Sequence, residues 1–280
     1  MLVCFTFLKQ PTSRMTFSAL AIDLDGTLLI GEDLPVGHRD AVAAAAAAGF
    51  RVIIATARWR QLAERVAAEI GISGPIIACS GAQVYIPSTR QDIFDHRLPT
   101  DFVDKLYQLC DAHRCIATAT YDDHTLLCMD GQPDSKFLSP EMQWTPTLTG
   151  TTGLPRIATL QGTAAVAEVK ETLKQQYSDT VNIHDSIGPS GKLVLTMTAR
   201  AADKGEALKA ACAHEGIETQ AVVAFGDAEN DIAMFRLAGA SVAMGQASAD
   251  VKLAATTTTL PNTENGVGVA IEKLLAQGAP

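Results

Sequence analysis

The sequence lacks the cysteine and histidine patterns that hold structural metal ions or disulfides. Its six cysteines are scattered, with no CxxC pair, and its six histidines form no HxH or HxxxH pair. Dispersed cysteines are typical of free thiols in a reducing compartment. We therefore expect no zinc site, and we expect the protein to act in the cytoplasm.

Positive charge and long apolar runs are scarce as well. Lys and Arg total 22 against 31 Asp and Glu, so the formal net charge is −9, which disfavours nucleic acid as a partner. No apolar run approaches the roughly 18 residues that a membrane span needs, and we expect no membrane partner. Hydrophobic residues make up 47% of the 280 residues, which suffices for one large domain or two. Composition leaves the oligomeric state open.

Residues 1–17 are predicted to be an N-terminal tail that is disordered or belongs to an upstream start. Residues 2–8 are apolar, but they lack the leading charge and the cleavage site of a signal peptide. Met15 stands just before the first predicted strand, at the position expected of an alternative start.

Two aspartates follow the first core strand and give the strongest functional signal. Residues 19–22 read Ala-Leu-Ala-Ile, which is typical of a short buried strand, and Asp23 and Asp25 follow it just before Gly26. Side chains two residues apart in an extended strand point the same way, so we expect both carboxylates to lie together. In an open α/β sheet this strand end borders the ligand crevice. Two buried like charges require a cation, and Mg²⁺ prefers carboxylate oxygens.

A second β-branched run, residues 51–55, ends in a hydroxyl residue, Thr56. A hydroxyl at a strand end can donate a hydrogen bond to an anion without adding charge. The alternative is an N-cap for a helix that begins near Trp59.

Two later segments place further polar groups at strand ends or helix starts. Lys204 opens a predicted helix that runs to about Gly216, where a cation opposes the helix macrodipole and indicates a nearby anion. An exposed lysine on a solvated turn is the alternative. A buried run over residues 221–225 is followed by three oxygen-bearing side chains, and capping explains only one of the three. These side chains belong to Asp227, Asn230 and Asp231.

Taken in order, these segments resemble the motifs of the haloacid dehalogenase superfamily of phosphatases: DxDGT, a strand-end Thr, a Lys, and GDxxND. Residues 75–82, 241–247 and 265–268 resemble further family segments and indicate the Cof-type branch, which carries a large α/β cap. The chain departs from the family at three positions, none of which removes a group that the chemistry requires. These positions are Ala57 for Gly, Ser80 for Asn and Gln246 for Asn. Ser80 bears on substrate choice more than on reaction type.

The resemblance implies a magnesium-dependent phosphomonoester hydrolase that acts through an aspartyl-phosphate on small phosphorylated metabolites such as sugar phosphates. It implies Asp23 as the nucleophile and Asp25 as the acid and base at the leaving oxygen. Sharing a site with another carboxylate is expected to raise one pKa of this pair.

The resemblance also implies which residues hold the metal and the phosphoryl group. The implied Mg²⁺ ligands are Asp23, the backbone carbonyl of Asp25, and Asp227, with Asp231 orienting metal-bound waters. The implied phosphate-binding residues are Thr56, Lys204 and Asn230.

The order of predicted elements indicates an α/β fold with an insertion. Strands and helices alternate in residues 18–87 and 196–280, which predicts a Rossmann-like parallel sheet with helices on both faces as the catalytic core. Residues 88–195 carry none of the motifs and are predicted to form an α+β cap domain, with residues 131–153 irregular. Within the cap, Asp122, Asp123 and His124 are candidates for substrate selection, although a solvated turn explains them better.

Three alternatives remain beside the phosphatase. A phosphomutase would use the same aspartyl-phosphate, and product analysis with a bisphosphate activator distinguishes it. A non-catalytic phosphate-binding module predicts loss of Asp23 or Asp25, and both are present. A response-regulator receiver domain is much shorter and lacks an inserted cap. The identity of the substrate is open.

Overall fold

The computed structural model describes residues 17–162, 164–187 and 191–278; the predicted tail over residues 1–16 lies outside this part of the chain. Its strands fall into two separate sheets. In chain order the strands are β1 (Ala19–Ile22), β2 (Arg51–Ala55), β3 (Ile76–Ala78), β4 (Gln83–Ile86), β5 (Gln91–Asp95), β6 (Ile116–Thr120), β7 (Thr125–Cys128), β8 (Met142–Thr145), β9 (Ile157–Gly162), β10 (Val181–Ile187), β11 (Leu193–Ala199), β12 (Val222–Gly226), β13 (Ala240–Ala243) and β14 (Thr257–Thr258).

The first sheet has eight strands in the order β14-β13-β12-β1-β2-β3-β4-β5. Its pairs from β14 to β3 are parallel, and β4 and β5 extend it as an antiparallel hairpin. In β1, Ala21 pairs with Ala224 of β12 on one side and with Ile53 of β2 on the other. The parallel part confirms the predicted α/β core and brings the carboxyl ends of β1, β2 and β12 to one edge.

Helices cover both faces of this sheet. In chain order the helices of the protein are α1 (Val36–Ala47), α2 (Arg60–Ile70), α3 (Thr100–His113), α4 (Ala164–Tyr177), α5 (Lys204–Glu215), α6 (Ile232–Leu237), α7 (Ala249–Ala254) and α8 (Gly266–Ala276). Leu20 and Ile22 of β1 belong to the core cluster that includes α1, α2 and α8, whereas Ala19 and Ala21 belong to the cluster that includes α5, α6 and α7. Alternate side chains of β1 thus face the two helical layers in turn, as in a doubly wound sheet.

The second sheet has six strands in the order β10-β11-β9-β6-β7-β8 and is antiparallel except for the pair β7–β8. Helices α3 and α4 pack on it around a separate hydrophobic cluster that includes Phe102, Leu160 and Leu195. This mixture of antiparallel strands and helices is the predicted α+β insertion.

A buried arginine links the two sheets. The side chain of Arg156, which is 1% exposed, donates to Asp95 over 2.7 Å and to Asp92 over 2.9 Å, both on β5 of the first sheet. The same guanidinium donates to the backbone carbonyl of Tyr121 and pairs with Asp122, at the turn between β6 and β7 of the second sheet. Each nitrogen of this buried guanidinium donates to a different residue, and such charge-assisted hydrogen bonds fix geometry as well as charge.

The structure corrects the expected pattern of strands at several places. Residues 131–153 were expected to be irregular, yet they contain β8, which pairs with β7. The sequence analysis also missed β4, β5 and β10. Most of these strands pair antiparallel and lie at or near sheet edges, outside the parallel part of the core. Among the described residues, no helix has both the length and the apolar character required to cross a bilayer.

Candidate active site

Asp23 lies at the carboxyl end of β1 and is 4% exposed. Its backbone N–H donates to the carbonyl of Phe225 over 3.0 Å, which holds this strand end against β12. Burial raises the pKa of Asp23 well above its usual value; the charge of Lys204 opposes this shift, and the charges of Asp231 and Asp227 reinforce it. A carboxylate in this position is costly without cations beside it.

Lys204 supplies one of those cations. Its Nζ donates to Asp23 Oδ1 over 2.6 Å and to Asp231 Oδ1 over 2.7 Å, and the residue is 1% exposed. Burial alone would lower the pKa of Lys204, but the two carboxylates outweigh it and raise that pKa. The alternative of an exposed lysine on a solvated turn is therefore wrong. The N-cap of α5 is the preceding residue, Asp203, whose Oδ1 accepts from the first-turn amides.

Asp231 supports both Lys204 and the turn after β12. Its second oxygen, Oδ2, accepts the backbone N–H groups of Asp227 and Ala228 over 2.9 and 3.0 Å. Both carboxylate oxygens are thus engaged by protein donors, and the side chain is fully buried. This arrangement fits a residue that positions its neighbours, and the predicted role of orienting metal-bound waters stays a prediction.

Asp227 completes a group of three close carboxylates. One ligand oxygen from each of Asp23, Asp227 and Asp231 lies within 4.8 Å of the other two. Burial, followed by the charge of Asp231, raises the pKa of Asp227 to about 6. Asp227 Oδ1 accepts from the hydroxyl of Thr27 over 3.1 Å, and a Cβ at Gly26, whose φ is +78°, would collide with its carboxylate.

The charges of this cluster fit a bound divalent cation. Three carboxylates face a single ammonium, so the ionised cluster has excess negative charge. Burial first, and then the charge of the neighbouring carboxylates, raises the pKa of Asp23 and of Asp227. Since Asp231 is occupied by Lys204 and two amides, the carboxylates suited to a metal are those of Asp23 and Asp227. Both belong to the predicted ligand set, and hard oxygen ligands of this kind suit Mg²⁺.

Asp25 lines the same cavity as Asp23, but it lies outside the group of three close carboxylates. Strand β1 ends at Ile22, so the rule for side chains two apart in a strand does not extend to the turn that follows. The side chain of Asp25 is 48% exposed and forms a bidentate pair with Arg58, with Nε–Oδ2 at 2.8 Å and Nη2–Oδ1 at 2.6 Å. Arg58 also binds Glu32 over 2.6 Å. Sequence reasoning missed this arginine, although it directly follows Thr56 and Ala57.

Thr56 is fully buried at the end of β2. Its Oγ1 accepts the backbone N–H of Arg58 over 3.1 Å, which leaves the hydroxyl proton available for another acceptor. Helix α2 begins at Arg60 with Trp59 at its N-cap and no side-chain cap. Thr56 therefore does not cap this helix, and the anion-binding interpretation stays as a prediction.

A cavity of about 290 Å³ lies above Asp23 and is lined by residues from the regions of both sheets. The first sheet contributes Asp23, Asp25, Ala57 and Ser80, and the turn after β12 contributes residues 228–230. Within this turn, Oδ1 of Asn230 is buried and has no hydrogen-bond partner among the described residues. The position of Asn230 beside the same cavity as Asp23 fits its predicted role at the phosphoryl group.

The second sheet contributes a wall of four polar residues that sequence reasoning missed: His184, Asp185 and Ser186 of β10, and Thr196 of β11. No local motif marks them, because their approach to Asp23 depends on the packing of one sheet against the other.

The candidates proposed for substrate selection lie elsewhere. Asp122 pairs with Arg97 and Arg156, and the 86% exposed side chain of Asp123 bonds His124 over 2.7 Å. None of the three candidates lines the cavity above Asp23. The explanation as a solvated turn fits Asp123 and His124.

Comparison with known proteins gives a family. The sequence profile of the haloacid dehalogenase-like hydrolases matches residues 20–271. The chain is 30% identical to the 5-amino-6-(5-phospho-D-ribitylamino)uracil phosphatase YwtE of Bacillus subtilis, over 92% of this chain and 98% of the relative. It is 26% identical to a phosphoglycolate phosphatase of Methanobrevibacter smithii, over 93% and 100% of the two chains.

A solved structure agrees with this result. A haloacid dehalogenase-like hydrolase from Bacteroides thetaiotaomicron superposes with a TM-score of 0.81 at 24% identity, over 92% of this chain and all of the other. The fold is therefore shared over nearly the whole length. The chain belongs to the haloacid dehalogenase-like hydrolase family, as its sequence motifs predicted.

Proposed function

We propose that this haloacid dehalogenase-like hydrolase is a magnesium-dependent phosphatase of small phosphorylated metabolites that acts through an aspartyl-phosphate. One observation carries the proposal: Asp23 is buried at a strand end, bonded by the buried ammonium of Lys204, on the wall of a cavity. A carboxylate attacks phosphorus well only where cations neutralise the incoming phosphate. The named activities of both relatives, which are phosphatases of small molecules, support the proposal.

The reaction proceeds in two displacements. An oxygen of Asp23 forms a bond to phosphorus while the ester P–O bond breaks, and Asp25 gives its proton to the leaving oxygen. Water then attacks the same phosphorus, Asp25 takes a proton from it, and the bond to Asp23 breaks to release phosphate. In the structure Asp25 accepts hydrogen bonds from Arg58 as a carboxylate, so it must leave Arg58 and take a proton from water before it gives that proton to the leaving oxygen.

The remaining site residues hold the phosphoryl group and the metal. The hydroxyl of Thr56, the ammonium of Lys204 and the amide of Asn230 bind phosphoryl oxygens. The carboxylates of Asp23 and Asp227 and the backbone carbonyl of Asp25 hold Mg²⁺, and Asp231 fixes Lys204 and the turn that carries Asp227. When bound, Mg²⁺ neutralises negative charge on the phosphoryl group.

We also propose the division into a core (residues 18–87 and 196–280) and a cap (88–195) that closes over the substrate. Sheet membership moves both boundaries by a few residues, because β5 pairs in the first sheet up to Asp95 and β11 in the second up to Ala199. The described cysteines are all free and buried, which supports a place in the reducing cytoplasm.

The test is phosphate release from a panel of phosphorylated metabolites with magnesium. We expect Asp23→Asn to abolish turnover while the protein stays folded, and Asp40→Asn, at an exposed pair on α1, to have no effect. Acid-quenched wild-type enzyme should carry one phosphoryl group on the peptide that contains Asp23, as read by mass spectrometry. Near-normal activity in Asp23→Asn would refute the covalent mechanism.

Metal dependence is tested separately. EDTA should stop turnover and magnesium should restore it, whereas calcium should restore it poorly because its larger and irregular coordination misplaces the nucleophile. Asp227→Ala should raise the magnesium concentration needed for half-maximal activity. Full activity in metal-free buffer would show that no metal takes part.

A further inference from the structure

The cavity above Asp23 is unusual in its charge. Its described lining contains four acidic residues and neither lysine nor arginine. The acidic residues are Asp23, Asp25, Asp185 and Glu229. A pocket meant for a ligand with two separate anionic groups needs a cation for each of them.

The cations near the cavity are already paired with carboxylates. Lys204 lies between Asp23 and Asp231, and it is the cation assigned to the phosphoryl group. Arg58 is held by two carboxylates. Beside the second sheet, Lys170 of α4 bonds Asp185 over 2.8 Å, and Lys174 of the same helix approaches the other oxygen of Asp185 at 3.8 Å. Each of these cations faces at least one carboxylate, and none of them lies on the lining of the cavity.

The other groups on the lining suit hydroxyls. The second-sheet wall offers the hydroxyls of Ser186 and Thr196 and the imidazole of His184. Ser80 adds a hydroxyl that is 7% exposed and has no hydrogen-bond partner among the described residues. Its backbone is held in the left-handed region, with φ at 55°, directly after Cys79 at 52°. Side-chain hydroxyls both donate and accept, and so do the hydroxyls of a polyol.

A non-glycine residue in the left-handed region is uncommon, and two in succession are more so. Here the strained turn brings the unpartnered oxygen of Ser80 to the cavity wall. A buried hydroxyl without a partner costs free energy until a ligand supplies one.

We propose that this cavity selects leaving groups by charge: it accepts a leaving group that is uncharged and polyhydroxylated or cationic, and it rejects one that bears a second anionic group. The inference rests on the proposed phosphatase function, since it takes the phosphoryl end of the substrate to be held at Asp23 and Lys204. It goes further because it assigns to Asp185 and Glu229 the selection of the leaving group by its charge.

Three esters that differ mainly in charge test the proposal at about pH 7, where a sugar amine is largely protonated. They are glucose 6-phosphate, glucosamine 6-phosphate and 6-phosphogluconate, each used as a competitor of p-nitrophenyl phosphate hydrolysis. We expect the inhibition constant of 6-phosphogluconate to be about tenfold higher than that of glucose 6-phosphate, because repulsion between like charges weakens the binding of an anionic leaving group. We expect glucosamine 6-phosphate to bind at least as well as glucose 6-phosphate.

Asp185→Asn identifies the group responsible. It removes one negative charge from the wall and releases Lys170. The ratio of the inhibition constants of 6-phosphogluconate and glucose 6-phosphate should therefore fall at least threefold, which is the effect expected of one screened charge. Asp179→Asn is the matched control, because Asp179 is exposed just before β10 and does not line the cavity. Hydrolysis of p-nitrophenyl phosphate should be unchanged in Asp179→Asn, and so should the difference between the two inhibition constants.

Calorimetric binding of the same esters to Asp23→Asn gives the order of affinities without turnover, so the two proposals fail separately. Absence of hydrolysis in the wild type, with the expected order of binding, would overturn the phosphatase function alone. Selection by charge would be overturned if 6-phosphogluconate bound as tightly as glucose 6-phosphate or more tightly, or if the other two esters did not bind. It would also be overturned if the ratio of the two inhibition constants were unchanged in Asp185→Asn.

Discussion

Both sheets line the cavity above Asp23, and the wall on the side of the first sheet (the first wall) differs in its chemistry from the wall on the second sheet (the second wall). On the side of the first sheet, the three charged groups Asp23, Lys204 and Asp231 are buried and are joined by contacts of 2.6 and 2.7 Å. On the second sheet His184, Asp185 and Ser186 are exposed residues of one strand. A buried ion network tolerates little change, whereas exposed side chains can be exchanged at small cost to the fold. We infer that the first wall performs the chemistry and the second selects the substrate.

The largest expected effect comes from the buried cation of the first wall. Lys204→Met leaves Asp23 and Asp231 without their shared ammonium and removes a phosphate contact. We expect turnover to fall by about 10²–10³ or more, and the free energy of unfolding to fall by about 3–5 kcal/mol. Initial rates and urea unfolding measure the two effects.

A second variant separates these effects. Adding Asp231→Asn to Lys204→Met removes one unpaired carboxylate, so it should recover stability without recovering activity. Lys209→Met is the control on the same helix, because Lys209 is exposed and pairs with Glu206 in the first turns of α5. A folded Lys204→Met enzyme with normal turnover would remove the distinction between the two walls.

A somewhat smaller effect is expected at Asp25, where the first wall reaches solvent. Asp25→Asn should slow hydrolysis of alkyl phosphates by about 10²–10⁴, because the leaving oxygen loses its proton donor. Hydrolysis of p-nitrophenyl phosphate, whose leaving group needs little protonation, should slow far less. Glu32→Gln changes the other carboxylate bound to Arg58 and should leave both rates near those of wild type. Equal losses on both substrates would argue against an acid–base role.

The same contrast explains what could be predicted from sequence. Parallel strands bring their carboxyl ends to one edge whatever the loops do, so Asp23, Thr56 and Asp227 could be assigned to one site from their positions after apolar runs. Lys204 could be assigned to the same site because a positive charge at a helix start opposes the macrodipole and indicates a nearby anion. The comparisons confirm the family and the fold that these motifs indicated.

Other features could not be predicted because they depend on tertiary packing. Strand β10 alternates apolar and polar residues, yet nothing local shows that His184 and Ser186 face a cavity of the other sheet. The pairing of Asp25 with Arg58 depends on a turn that begins earlier than expected. The left-handed backbone at Ser80 has no sequence signal, since its neighbour Cys79 is not a residue type that favours this region.

Removal of a single hydroxyl from the second wall sharpens the comparison. Thr196→Val keeps the shape of a half-buried residue on the cavity and removes one hydrogen-bonding group. We expect KM for a polyol phosphate to rise by about two- to tenfold, the value of one neutral hydrogen bond, with kcat for p-nitrophenyl phosphate unchanged. Thr118→Val is the control, because Thr118 lies on the same sheet, bonds Thr159 and is not among the residues that line the cavity. A fall in kcat for both substrates would give the second wall a part in the chemistry.

The smallest effect is expected at a surface ion pair that joins helix α2 to the segment before β8. Arg65 of α2 donates to Glu141, just before β8, over 2.7 Å, and this hydrogen bond lowers the pKa of Glu141. Arg65 is half exposed, so the pair should contribute about 1 kcal/mol or less and weaken with salt. If the pair holds the cap against the core, Arg65→Ala should raise KM for metabolites a few-fold at low salt, and the difference from wild type should vanish at high salt. Arg114→Ala removes an exposed 4.0 Å pair with Asp130 within the second-sheet region and should change KM at neither salt concentration. A salt-independent rise in KM in Arg65→Ala would mean that the guanidinium acts by packing rather than by charge.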